Sequence, residues 1–180
     1  MLNTILGSLS AGGVATSYES IATTTVGAGG SASVTFSSIP TTYTHLQIRG
    51  ITKSTSGLVS TFANFNGDSG SNYSRHQLLG DGASASAAGD ASVTSFYTNI
   101  FTNTANNYGA TIIDILDYAN TNKYKTVRTL GGYDANGSGY ILLRSALWQS
   151  TSAITTIALS PSGGNFDQYS QFALYGIKGA

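Results

Sequence analysis

From Tyr18 onward, apolar and polar residues alternate with a period of two, and the alternation recurs to the C-terminus. That period is the mark of strands, whose successive side chains point to opposite faces. It predicts strands at 18–25, 31–36, 44–52, 58–66, 71–79, 92–101, 109–117, 124–131, 139–148, 154–160 and 172–178. The connections agree. Gly27-Ala28-Gly29-Gly30 separates the first two strands, Ile39-Pro40 follows the second, and Asn66-Gly67 and Asn136-Gly137 are hairpin-type dipeptides. Only Thr111–Leu116 competes as a helix, and its β-branched Ile112-Ile113-Asp114-Ile115-Leu116 run is too short to hold one in water. Short strands at nearly regular spacing predict an all-β fold, an antiparallel β-sandwich of jelly-roll type. It occupies residues 17–180, behind an N-terminal arm of residues 1–16.

One stretch breaks the spacing. Gly80–Ala91 reads GDGASASAAGDA, with no aromatic or branched anchor. Its side chains are too small to make strong contacts, so it is expected to be a flexible loop. No fixed-period repeat and no linker divides the chain.

Composition narrows the function. Only 9% of the 180 residues are charged, and eight Lys and Arg balance eight Asp and Glu. A chain without a basic field has no electrostatic route to a phosphate backbone, so no nucleic-acid partner is expected. The apolar fraction, 41%, is too high for a disordered chain. There is no cysteine, which excludes disulfides, thiolate zinc sites and thiol catalysis. Ser, Thr and 22 Gly replace the ions, and Glu19 is the single glutamate. A surface of near-zero net charge resists association poorly, so the chain is expected to work as a homo-oligomer.

No targeting or membrane-spanning segment is read in the chain. The opening MLNTILGSLSAGGVAT has no positive n-region, since the first Lys or Arg is Arg49, and Thr4, Gly7, Ser8 and Ser10 interrupt its apolar run. Synthesis in the cytoplasm and no membrane insertion are expected. Within the arm, Leu2, Ile5, Leu6, Leu9 and Val14 supply apolar groups, while Gly7, Gly12 and Gly13 weaken any helix. Two readings stand: a segment that attaches the domain to a partner, or a frayed terminus or edge strand on its own sheet.

The candidates for chemistry are few. His45 and His76 are the two imidazoles available as bases, each within an alternating strand and neither beside a Gly-x-Ser-x-Gly elbow. Asp114 and Asp117 are near in sequence, but a strand sends positions i and i+3 to opposite faces, which spoils a glycosidase pair. Asp117 instead suits the start of the turn through Asn122. Asp134-Ala135-Asn136-Gly137-Ser138-Gly139 resembles the opening of a calcium loop, yet Ser145 stands where such a loop needs a bidentate Glu. That segment and Asn66–Asn72 read as turns. No catalytic residue, metal or cofactor is expected, and the chain is not read as an enzyme.

The binding candidate is the 139–148 strand. Ile141, Leu143 and Leu147 share one face; Tyr140, Leu142, Arg144, Ala146 and Trp148 share the other. A face with Arg at its centre is seldom plain core. Tyr140, Leu142, Arg144 and Trp148 could meet a sister subunit, stack a glycan, or lie under a loop with Arg144 bonded to Asp. Aromatic and Arg enrichment favours the subunit interface.

Several segments resemble a family of small structural proteins of marine and cyanobacterial tailed bacteriophages. They are Tyr18-Glu19-Ser20-Ile21-Ala22, Ser37-Ser38-Ile39-Pro40 with Thr44–Gly50, and Asn66–Ser74, followed by Asp114–Thr126 and the closing Phe172–Lys178. The resemblance covers nearly everything after the arm. It implies a virion component, either a capsid decoration or head fibre or a small tail-appendage subunit, partnered by major capsid or tail proteins. Analogy with phage appendages suggests a trimer. The alternative is a glycan-binding module that recognises the host surface.

Overall fold

The computed structural model describes residues 17–179; residues 1–16, and with them Leu2, Ile5, Leu6, Leu9 and Val14 of the arm, lie outside the described residues. No helix forms among the described residues, and hence none is long and apolar enough to cross a membrane. The strands are β1 (Tyr18–Thr25), β2 (Val34–Phe36), β3 (His45–Thr52), β4 (Val59–Phe65), β5 (Tyr73–Gly80) and β6 (Ala85–Val93). They continue with β7 (Phe96–Phe101), β8 (Gly109–Leu116), β9 (Lys125–Asp134), β10 (Gly139–Trp148), β11 (Ile157–Pro161) and β12 (Gln171–Ile177).

All pairings between these strands are antiparallel. An eight-stranded sheet runs β1-β12-β3-β8-β9-β10-β5-β6, and a four-stranded sheet runs β2-β11-β4-β7. The fold is thus an all-β sandwich of two unequal layers. Its core is the apolar set facing across the gap: Leu46, Ile48, Ile113, Ile115, Val127, Phe172 and Leu174 from the large sheet, Val34, Phe36, Phe65, Phe96, Phe101, Ile157 and Leu159 from the small one. Alternation creates this layer directly. In β8, Thr111, Ile113 and Ile115 are buried while Ala110, Ile112 and Leu116 are exposed.

The two Asn-Gly dipeptides both make tight turns, with different consequences. Asn136 and Gly137 have φ of 57° and 106°, left-handed values that Asn and Gly tolerate, and Ala135 N–H donates to Ser138 O at 2.7 Å. This closes the β9–β10 hairpin. Asn66 and Gly67 also take positive φ, but β4 and β5 belong to different sheets, so this turn carries the chain across the sandwich. Asn66 then ties that corner down. Its Nδ2 donates to Ala153 O at 2.8 Å, and its Oδ1 accepts from the N–H groups of Thr155 and Thr156.

Gly80–Ala91 is not a flexible loop; the chain turns at Asp81–Ser84 and returns as β6, the edge strand paired on β5. Asp81 organises the turn by accepting from the N–H groups of Ala83 and Ser84 at 2.9 and 2.7 Å. Backbone pairing needs no bulky side chain, and Ala, Ser and Gly leave both faces of β6 exposed.

Candidate functional site

The β9–β10 turn sets the register of β10 on β9. It pairs Gly139 with Asp134, and the ladder carries Arg144 to Thr129 and Leu143 to Leu130. The small sheet covers one side of β10, so Leu142, Arg144, Ala146 and Trp148 lie inward, at 0%, 4%, 7% and 3% exposure. Leu142, Arg144 and Trp148, expected with Tyr140 at a subunit or glycan face, are already covered by the rest of their own chain. Trp148 packs with Phe65 and Tyr73 at ring separations of 5.6 and 6.3 Å, and its Nε1–H donates to Asp68 Oδ2 at 2.6 Å. Burial pushes the Tyr73 hydroxyl up to about 12. Arg144 bonds Gln77, not an Asp. Tyr140 is half-buried at the end of the strand, its ring 5.9 Å from that of Tyr133.

The face left open is the opposite one. Following the register across the large sheet, one rung reads Thr23, Ala173, Arg49, Ile112, Leu130, Leu143, Leu78 and Ala87. Ile112, Leu130, Leu143 and Leu78 are direct neighbours on four adjacent strands, and they are 37%, 50%, 54% and 54% exposed. The next rung places Ile51 and Ile141, 54% and 65% exposed, among Ala110, Gly132 and Gly80. Those three small residues leave an open hollow of about 1020 Å³ between the isoleucines. Tyr133, Tyr140, Asp81 and Asp134 stand along its margin.

On the other side the rung turns polar: Tyr175, Gln47, Asp114, Arg128, Ser145 and His76. Gln47 Nε2 donates to Asp114 Oδ1 at 2.8 Å, and Arg49 Nε donates to Gln47 Oε1 at 3.0 Å. The Arg49 guanidinium also lies 5.6 and 5.9 Å from the ring centres of Tyr18 and Tyr175. An apolar stripe thus runs beside a hydrogen-bonded polar margin, the arrangement of an interface core and its rim.

Of the residues considered for chemistry, His45 and Asp117 are brought together, with His45 Nδ1 3.5 Å from Asp117 Oδ1. His45 Nδ1 accepts the Asp117 backbone N–H at 3.0 Å, while His76 lies far along the same outer face. Asp117 has a φ of 49° in the turn after β8 and pairs with Lys123, which holds its carboxyl below the usual range. Asp134 accepts the Asn136 N–H within its hairpin. Asp68 is held below its ordinary value first by the Trp148 bond, then by Gly70 and Asn72. Among the described residues, no three His, Asp or Glu side chains gather as a metal site would require.

Two buried features carry no simple periodic signal. Lys125 is fully buried, and its Nζ donates to the carbonyls of Asn120, Lys123 and Thr151 at 2.6, 2.9 and 3.1 Å, stapling two loops to the end of β9. Asn99 projects from β7 onto Gly131 of β9, where a Cβ would meet its Oδ1 at 2.5 Å. The exposed stripe did leave a signal in the sequence. Counting residues outward from the Asn136-Gly137 turn is enough to place Leu130 beside Leu143. Compared with known protein families, curated proteins and solved structures, the chain matches none of them.

Proposed function

We propose that this chain is a structural subunit of a tailed-bacteriophage particle, made in the host cytoplasm and assembled at the particle surface with major capsid or tail proteins. In this reading it self-associates through the outer face of its large sheet. The observation that carries it is the exposed rung Ile112-Leu130-Leu143-Leu78. Scattered exposed apolar residues need no explanation, but a contiguous row across four strands marks an interaction surface.

A second copy of the chain is the occupant that fits best. At a strand spacing of about 4.8 Å and a rise of about 3.3 Å per residue, eight such strands make a face of about 800 Å². One side of a standard protein interface is about 800 Å². Sheets stack face to face at about 10 Å with interdigitated side chains, which an aliphatic stripe suits. A patch that meets its own copy closes about a twofold axis, so the expected unit is a dimer rather than the trimer suggested by phage appendages. The phage assignment itself rests on the resemblance in the strand and turn segments.

Light scattering on the purified protein, together with Leu130→Asp, tests the association. A dimer at micromolar concentration that Leu130→Asp dissociates supports the reading, and a wild-type monomer overturns it. Reconstruction of particles that carry the gene tests the location. A stoichiometric density at the particle surface supports a structural subunit, and absence of the chain from purified particles overturns it.

A second reading draws on the hollow. Tyr133 and Tyr140 offer ring faces, and Asp81 and Asp134 offer carboxylates, beside a concavity of about 1020 Å³. Aromatic rings flanked by carboxylates suit sugar stacking, so a host-surface glycan is the alternative ligand. Specific signals on a glycan array that Tyr133→Ala removes would establish it; an empty array would set it aside.

A further inference from the structure

The large sheet extends past the small one at its β5–β6 end. There β7 is the last strand of the small sheet, and Tyr97 from β7 leans over the inner face of β10 and β5. Register places two rungs beneath it: Arg144, Gln77 and Ala88, then Ala146, Arg75 and Asp90. Both guanidiniums approach the same ring. Arg75 lies 3.6 Å from the Tyr97 ring centre and Arg144 lies 5.3 Å from it.

Their partners are unequal. Arg75 Nε donates to Asp90 Oδ2 at 2.8 Å and its Nη1 to Ser95 O at 3.3 Å. Arg144 is 4% exposed, and its Nε donates to the neutral Gln77 Oε1 at 3.2 Å. No carboxylate among the described residues pairs with Arg144, and its buried Nη1 has no hydrogen-bond partner. A buried cation without a counter-charge is costly, and an orphaned buried donor adds to that cost. Beside it is a hollow of about 40 Å³ lined by Arg75, His76, Gln77, Ala88, Asp90, Tyr97 and Arg144. The methyl of Ala88, where a longer side chain would reach in, helps leave it open.

We propose that this hollow binds one small monovalent anion, of halide or formate size, held by the Arg144 Nη1 donor with Arg75 beside it. Two guanidiniums against one carboxylate leave a single positive charge, which one such anion neutralises. The space exceeds the roughly 10–15 Å³ that one water requires, yet it is too small for a polyhydroxy anion such as gluconate. The ring of Tyr97 covers the site, and the edge strand β6 forms its outer wall.

The test is thermal unfolding of the full chain in sodium chloride, formate or gluconate at matched ionic strength. A ligand that binds only the native state raises stability as its concentration passes Kd. Chloride and formate should therefore raise the melting temperature by a few degrees and saturate, while gluconate should not. Arg144→Met should abolish the difference. If that variant fails to fold, Ala88→Leu, which fills the hollow from the exposed edge and leaves every charge in place, should abolish it equally. A crystal grown in bromide should show an anomalous peak beside Arg144 Nη1. Equal melting temperatures in all three salts, a response that survives Ala88→Leu, or a water molecule in place of bromide would each overturn the proposal.

Discussion

Trp148 and Asp68, 80 residues apart in the chain, are joined by a hydrogen bond of 2.6 Å from the indole Nε1–H to the carboxylate Oδ2. The bond anchors the Asn66–Asn72 turn to the end of β10. It also explains why the turn's oxygen atoms are occupied: Asp68 Oδ1 takes the Gly70 N–H, and both carboxylate oxygens take the Asn72 amide. Trp148→Phe keeps most of the ring contact with Phe65 and Tyr73 but removes the donor. Hydrogen bonds to charged groups are worth about 1.5–3 kcal/mol, so the variant should unfold at lower denaturant with an unchanged m-value. Chemical denaturation followed by circular dichroism measures this; an unchanged midpoint would show that the bond contributes nothing.

Acid should weaken the fold through the same contact. Asp68 is held below its ordinary carboxylate value, so its contribution is fully present above the unfolded value of about 3.9 and is lost as pH falls through the folded value. Asp167, lowered by its bond with Lys53, acts in the same direction. Asp68→Asn should reduce stability at neutral pH and flatten its fall between pH 5 and pH 2. A pH series of melting temperatures that is parallel for wild type and variant would contradict the assignment.

Leu142 and Leu143 are chain neighbours on opposite faces, at 0% and 54% exposure. Leu142→Ala should cost about 2–5 kcal/mol, the usual range for a buried leucine. Leu143→Ala should leave the unfolding free energy of the dissociated chain within about 0.5 kcal/mol and weaken self-association instead. Denaturation at low protein concentration, paired with light scattering, separates the two effects. Equal destabilisation by both would mean that the outer face is covered within the monomer.

Lys125→Met should be strongly destabilising although it exchanges a charge for an apolar chain of similar length. It leaves three carbonyls, those of Asn120, Lys123 and Thr151, without their donor. Each costs about 1–3 kcal/mol if water cannot reach it. Thermal unfolding checks the magnitude, and a melting temperature within a degree of wild type would show that the loops do not need the staple.

As the edge strand, β6 should protect about every second amide from hydrogen exchange. In an antiparallel edge, alternate N–H groups pair with the neighbour and the rest face solvent. Residue-resolved exchange across Ala85–Val93 measures this pattern. Uniformly fast exchange would return the segment to the loop its composition suggested.

Much of this architecture was legible in the chain itself. Period-two alternation located eleven of the twelve strands, because burying one face of a pleated strand requires it. Asn136-Gly137 marked its hairpin because two consecutive positive φ values suit few other residues. What the sequence could not determine was which face of β10 is inward, since both carry large apolar groups and alternation is blind to a strand's orientation. Sheet order decided that. Once β10 lies between β9 and β5, the small sheet covers Leu142, Arg144 and Trp148 and leaves Leu130, Leu143 and Leu78 in a row outside. Strand β6 was invisible for a related reason. Its stability comes from main-chain bonds to β5, which leave no imprint on side-chain pattern. The same holds for the Arg144 hollow, which exists because Tyr97 arrives from a strand in the opposite layer. Local periodicity reports how a strand is pleated; only tertiary structure assigns its neighbours, and neighbours decide which surfaces remain to bind.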